Sequence, residues 1–137
     1  MKNTLFCILL LIGFLVSCNN SRNRALDFMV NQVNKNCPMK LDDYTTLKMS
    51  STTGNTFTYY YFIDKTILSD YGVSKKEWST NQSNYLKNFY CESSDLSFIR
   101  ENNTTLRWKY NDLHGMHFDL FEFDLSDCIN PSDLVFE

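Results

Sequence analysis

The sequence is poor in glycine, and this shortage excludes several classes of enzyme. The chain has 137 residues, of which four are glycines and two are histidines. Four scattered glycines cannot build the glycine-rich loops that bind phosphates and dinucleotides, and the Gly-x-Ser-x-Gly turn of hydrolases is also absent. The sequence therefore predicts neither a nucleotide-dependent enzyme nor an α/β-hydrolase.

The chain also lacks a long apolar run and a long basic run. Its longest apolar stretch, Leu5 to Val16, is about a dozen residues, whereas a membrane-spanning helix needs about 20. Acidic residues outnumber basic ones by 16 to 13, which gives a net charge of −3. A mildly acidic chain without a basic patch argues against nucleic acid as a partner.

The N-terminus has the features of a secretory signal peptide. Lys2 precedes the apolar run, and the run ends in Leu15-Val16-Ser17-Cys18. That tetrapeptide resembles the bacterial lipobox, whose cysteine is acylated and becomes the N-terminus after cleavage. We therefore predict a signal peptide over residues 1–17 and lipidation of Cys18.

Lipidation would attach the protein to a membrane, because buried acyl chains anchor a protein stably when there are at least two. Asn19 stands where an aspartate would favour retention in the inner membrane, so we expect the periplasmic side of the envelope, with the outer membrane favoured. The predicted organisation is a lipidated tether over residues 18–23, one domain over residues 24–128 and a tail over residues 129–137.

The first half of the domain predicts a helix followed by a β-hairpin. Apolar residues with the spacing of an amphipathic helix occur at Leu26, Met29, Val30 and Val33. We expect this helix over residues 23–36, ended by Pro38. A strand within residues 40–51 and a second one over Thr56–Ile63 follow, because every residue of the latter is β-branched or aromatic.

The second half repeats the same order of elements. Ser74 and Glu77 form a capping box, which begins a helix over Lys75–Cys91 with an apolar stripe at Trp78, Tyr85, Leu86 and Phe89. Two strands follow, over residues 104–110 and 116–125, and a change of apolar parity in the second predicts a bulge. The predicted fold is α+β, in the order αββαββ, with a four-stranded antiparallel sheet and two helices packed on one face.

The five cysteines leave three candidates for a disulfide. Cys7 leaves with the signal peptide and Cys18 is lipidated, so Cys37, Cys91 and Cys128 remain. Outside the cytoplasm we expect one disulfide and one free thiol. The count alone allows any of the three pairings.

Several segments resemble a group of small exported bacterial proteins of uncharacterised function. In the first half these are Val33-Asn34-Lys35-Asn36-Cys37-Pro38, Asp42-Asp43-Tyr44-Thr45-Thr46-Leu47 and Phe57-Thr58-Tyr59-Tyr60-Tyr61. In the second half they are Cys91, Trp108-Lys109-Tyr110, Gly115 and Cys128. The resemblance implies no activity. It implies a Cys91–Cys128 disulfide, because the group often lacks the cysteine at position 37, and the antiparallel return of the last strand agrees with it.

Histidine and acidic side chains are the candidates for catalysis or metal binding. His114 and His117 have Asp112 and Asp119 nearby, and zinc sites use such residues. No third or fourth ligand converges on them in sequence, so we expect surface histidines and neither metal nor cofactor. Acids on or after the last strand are Asp119, Glu122, Asp124 and Asp127. We interpret these acids as a solvated strand edge rather than a glycosidase pair.

Aromatic residues of the central strands are the remaining candidates for a binding face, at Tyr59, Tyr61, Trp108 and Tyr110. Tyrosine and tryptophan are favoured at recognition surfaces, although the same rings also fill cores. We expect a non-enzymatic envelope lipoprotein that binds an envelope protein or glycan through the exposed side of its sheet. The alternatives are an inhibitor or immunity-type protein against a hydrolase, and a metal-dependent enzyme that uses His114 and His117.

Overall fold

The computed structural model describes residue 21 and residues 23–129. The predicted signal peptide, Cys18 and residues 130–137 lie outside the described residues. Helix α1 covers residues 23–35, and residue 21 is also helical, so helix begins within the predicted tether. The next elements are β1 (Met39–Lys40), β2 (Thr45–Thr53), β3 (Thr56–Ile63), α2 (Thr66–Asp70), α3 (Lys75–Glu92), α4 (Ser97–Glu101), β4 (Thr105–Asp112) and β5 (His117–Phe123). Short 3-10 turns at Ser94–Leu96 and Leu125–Cys128 precede α4 and follow β5.

The described strands form one five-stranded sheet in the order β1-β2-β3-β4-β5, and one pair in it is parallel. The predicted α+β class is confirmed, but the prediction of four antiparallel strands is wrong in two respects. β1 adds a short edge strand beside β2. β3 and β4 run parallel, from Thr56 opposite Thr105 to Ile63 opposite Asp112. The parallel pairing follows from the long helical connection, which returns the chain to the same end of the sheet.

Both predicted hairpins are present, β2 with β3 and β4 with β5. In the second hairpin the pairing skips Phe118 at the step from Tyr110 to Asn111. This irregularity is the predicted bulge, and Phe118 is buried together with Phe121 and Phe123. The extra residue explains how apolar side chains of opposite parity reach one core.

The two long helices, α1 and α3, pack on the same face of the sheet, in agreement with the prediction. Leu26 of α1 and Leu86 and Tyr90 of α3 belong to one buried cluster with Phe57 and Leu106 of the central strands. α3 begins after Ser74, whose hydroxyl accepts a hydrogen bond from the Glu77 backbone N–H at 3.2 Å. This N-cap explains why the sequence located the start of α3 correctly.

A polar contact also attaches α1 to β2. β1 pairs with β2 at Thr46 and Leu47, so no described strand lies beside the backbone of Ser50 on that edge. The Asn34 side chain takes the place of a strand, because its Oδ1 accepts from the Ser50 N–H at 2.6 Å and its Nδ2 donates to the Ser50 carbonyl at 2.9 Å. Ser50 is 1% exposed, and these bonds satisfy backbone groups that are shielded from water.

A disulfide connects the end of α3 to the turn that follows β5. Cys91 and Cys128 are bonded, with their Cα atoms 5.4 Å apart, and Cys37 is free. This is the pairing that the family resemblance implied. The bond holds the C-terminal part of α3 to the segment leaving the sheet.

Asp112, at the end of β4, connects the sheet to the segment between β3 and α2. Its Oδ2 lies 2.9 Å from Lys65 Nζ, and its side chain is 7% exposed. Its Oδ1 accepts from the backbone N–H groups of His114 and Met116 at 2.9 and 3.0 Å. The Lys65 contact, together with these backbone donors, lowers the pKa of the Asp112 carboxyl.

We expect Asp112→Asn to destabilise the domain at neutral pH and to have little effect in acid. Because the folded-state pKa is lowered from 3.8, the ionised carboxylate stabilises the fold above that value. The contribution is lost as the pH falls through the folded-state pKa. Urea unfolding of both proteins across this range measures the difference, with the exposed Asp43→Asn as a control. A difference that stayed constant with pH would contradict the prediction.

Candidate functional site

The four aromatic residues predicted as a binding face lie on the helix-covered side of the sheet. Strand pairing places Tyr59 beside Trp108 and Tyr61 beside Tyr110, with ring centroids 6.4 and 4.9 Å apart. Trp108 and Tyr110 are only 3% and 4% exposed. The prediction that these rings act from the exposed side of the sheet is therefore wrong, because they share the strand parity of the core residue Phe57.

Three of these rings nevertheless line the base of a cavity of about 440 Å³. The base is formed by Tyr61, Trp108 and Tyr110. One wall is α3, which contributes Trp78, Gln82, Tyr85, Leu86 and Phe89. The opposite wall consists of Leu41, Asp42, Thr45 and Ile67. The volume falls within the range of about 300 to 1,000 Å³ that is typical of ligand pockets.

Two further cavities adjoin the first along α3. One, of about 400 Å³, shares Trp78 and Gln82 with it and extends to Tyr71. The other, of about 290 Å³, shares Phe89 and extends toward Ser93. We call the combined depression the aromatic groove, defined by Leu41, Tyr61, Tyr71, Trp78, Tyr85, Phe89, Trp108 and Tyr110.

Tyr85 and Phe89 are the groove residues that the sequence interpretation assigned wrongly to the buried stripe of the helix. They are 64% and 38% exposed, and their rings stack with centroids 6.4 Å apart and planes at 7°. Their chain neighbours Leu86 and Tyr90 are the residues that α3 buries. The sequence does carry a signal for this exposure. The adjacent apolar pairs Tyr85-Leu86 and Phe89-Tyr90 make an apolar stripe that is wider than one buried helix face requires.

The groove combines neutral phenols with negative charge. Burial is the main cause that raises the pKa of Tyr61 and of Tyr110, so both hydroxyls stay protonated at physiological pH. Gln82 Nε2 donates to the Tyr110 hydroxyl at 3.1 Å. Among the described residues, the charged ones that line the three cavities are both acidic, Asp42 and Glu92. Aromatic faces with nearby carboxylates favour an apolar ligand that carries positive charge.

No protein-family model matches the sequence, and no curated protein matches it significantly. Three solved structures are similar in fold. A Pseudomonas aeruginosa protein described as secreted has a TM-score of 0.67 at 10% identity, over 81% of this chain and 96% of its own. EpsS, a type II secretion pilotin of Vibrio vulnificus, has a TM-score of 0.57 at 14% identity, over 82% and 99% of the two chains. The type II secretion pilotin AspS of Vibrio cholerae has a TM-score of 0.63 at 8% identity, over 83% and 98%.

This chain shares their fold. At identities this low the similarity extends to architecture alone. Each structure is covered almost completely, so the whole α+β domain, rather than one motif within it, is the unit that they have in common.

The predicted candidates for metal binding and catalysis do not converge. His114 and His117 are both exposed. Within residues 23–129 no group of three or more His, Cys, Asp or Glu side chains is placed to hold a metal ion. Glu122 pairs with an arginine of the neighbouring strand, and Asp124 and Asp127 cap the last 3-10 turn. These acids therefore have local structural roles.

In the described part of the chain, no helix combines the length and the apolar character needed to cross a membrane.

Proposed function

We propose that this protein is a non-enzymatic accessory lipoprotein of the bacterial envelope that binds a segment of another envelope protein in the aromatic groove. The observation that carries the proposal is the position of Tyr85, which is 64% exposed and lines all three cavities. The resemblance of the N-terminus to a lipobox supports an anchor at Cys18 on the periplasmic side, and Asn19, in place of an aspartate, favours the outer membrane. The fold shared with two type II secretion pilotins supports an accessory role at a secretion apparatus.

The lining of the groove indicates what kind of segment it binds. Leu41, Tyr71, Tyr85 and Phe89 are large apolar side chains with 38% to 68% of their surface exposed. Clustered exposure of this kind marks an interaction surface rather than ordinary protein surface. The partner segment therefore presents apolar side chains to the rings, and at least one basic side chain to Asp42 or Glu92.

We expect a photo-reactive benzoylphenylalanine at position 85 to cross-link to an envelope protein in intact cells. The matched control is the same residue at position 113, because Leu113 is 62% exposed and lies outside the groove. An adduct at position 85 that is absent at position 113 supports the proposal. Absence of an adduct at position 85, or the same adduct at both positions, would overturn it.

With the cross-linked partner purified, we expect Tyr85→Ala to weaken its binding by about 30-fold, the effect of an interface hot spot of about 2 kcal/mol. The free energy of unfolding should change by no more than about 0.5 kcal/mol, because the ring is mostly exposed. Titration calorimetry and urea unfolding measure the two quantities. A partner that is a hydrolase, and that is inhibited on binding, would instead favour an inhibitor or immunity-type function.

A further inference from the structure

The face of the sheet opposite the groove carries basic side chains that lie over aromatic rings. Lys48 Nζ is 4.7 Å from the centroid of the Phe62 ring, and Lys109 Nζ is 5.9 Å from that of Tyr60. Tyr60 and Phe62 alternate with the groove residue Tyr61 along β3, so they point to the other side. The described helices pack on the groove side of the sheet. Each contributes one of the following residues to the buried hydrophobic core or to its edge: Leu26, Ile67, Leu86 and Ile99. We call the opposite surface the open face.

The open face is basic although the protein is acidic. Strand parity places Lys40, Arg107, Lys109 and Glu122 on this face. The contact with Phe62 places Lys48 there as well, at the register shift of β2. Glu122 forms an ion pair with Arg107 at 2.5 Å, and Asp43, in the loop before β2, forms one with Lys40 at 3.0 Å. Lys48 and Lys109 are the lysines of this face that lie over aromatic rings. The strand residues therefore give this face a net positive charge, whereas the whole chain has a net charge of −3. Such a surface attracts a partner with dense negative charge.

We propose that the open face lies against an anionic phospholipid surface, which leaves the aromatic groove facing away from the bilayer. The proposal rests on the lipid anchor of the proposed function. The ammonium groups of Lys48 and Lys109 lie over aromatic rings on the outer side of the sheet. In this position they can contact anionic headgroups at a membrane interface.

The predicted tether limits how far the domain can lie from the membrane. Residue 23 lines a small cavity with Thr52 and Gly54, at the β2–β3 turn. Five residues from Cys18 to residue 23 span at most about 18 Å when fully extended. An acylated Cys18 therefore holds the β2–β3 end of the sheet close to the headgroups, and the charge of the open face determines which side is turned toward them.

Residue-resolved acetylation tests the orientation. The acylated protein, with its lipid verified by mass spectrometry, is placed in vesicles of phosphatidylcholine with or without phosphatidylglycerol. We expect Lys48 and Lys109 to react several-fold more slowly in the anionic vesicles, and this protection to be lost in high salt. Lys76 and Lys87, which are exposed on α3, are internal controls whose reactivity stays the same.

A variant pair provides a second measurement, energy transfer from tryptophan to a dansyl-labelled lipid. We expect the unchanged protein to show more transfer in anionic than in neutral vesicles. Lys48→Gln/Lys109→Gln should lose this increase, whereas the matched control Lys76→Gln/Lys87→Gln should keep it.

Equal protection of both lysine pairs would overturn the proposal, and so would protection that requires added envelope protein. A failed anchor is recognised separately, because the protein would then not float with neutral vesicles.

Discussion

Replacing both Cys91 and Cys128 by serine is expected to lower the free energy of unfolding by about 4 kcal/mol. The two residues are 37 positions apart, and closing a loop of this length removes conformational entropy from the unfolded chain in the loop-entropy description. A domain of this size has a total stability of about 5 to 15 kcal/mol, so the loss is a large share. Urea unfolding of the oxidised protein and of the double serine variant measures it.

The control is Cys37→Ser. Cys37 is partly buried and its thiol donates to the Val33 carbonyl at 3.3 Å, a contact that a serine hydroxyl can replace. We expect a change of less than about 1 kcal/mol. If Cys37→Ser cost as much as the double variant, the assignment of one structural disulfide and one dispensable thiol would be wrong.

The disulfide also bears on the groove. Cys91 lies two residues after Phe89, and Phe89 forms part of the groove wall. Without the bond the last turn of α3 loses its covalent attachment to the segment after β5. We therefore expect the double serine variant to bind a groove partner more weakly, even under conditions where the domain remains folded.

Local sequence patterns predicted the elements of the fold better than their arrangement. Ser74 identifies the start of α3. The change of apolar parity between Leu120 and Phe121 indicates a bulge, which the structure places two residues earlier, at Phe118. Both signals depend on near neighbours in the chain. The parallel pairing of β3 with β4 left no such signal. A strand with aromatic residues on both faces is compatible with parallel and antiparallel neighbours alike, and the choice depends on a connection of about 40 residues folding as a unit.

The same limit explains what was predicted of the candidate site. Composition identified Tyr61, Trp108 and Tyr110, which line the groove. Alternation along β3 separates Tyr61 from Tyr60, but it does not tell which of the two faces the helices will cover. Tyr85 was missed as a surface residue, because its exposure depends on how far α3 lies from the opposite wall, and this distance is a property of tertiary packing.

Trp108→Ala is expected to cost about 3 to 5 kcal/mol of stability, as for other large aromatic side chains removed from cores. Trp108 is 3% exposed, and its ring lies 6.4 Å from that of Tyr59 and 6.1 Å from that of Phe123. Removing it leaves a cavity beneath the groove that the flanking strands cannot close. Urea unfolding measures the loss, and Trp108→Phe, which retains an aromatic ring, should recover part of it.

Comparison of Trp108→Ala with Tyr85→Ala separates the two roles of the aromatic groove. Trp108 belongs to the base, which is also the core of the domain, whereas Tyr85 belongs to the rim and is 64% exposed. We therefore expect a large loss of stability from the first and a small one from the second, while both weaken partner binding. If Trp108→Ala cost less than about 1 kcal/mol, the base of the groove would not be a packed core. The exposed rim would then have to account for recognition without a rigid surface behind it.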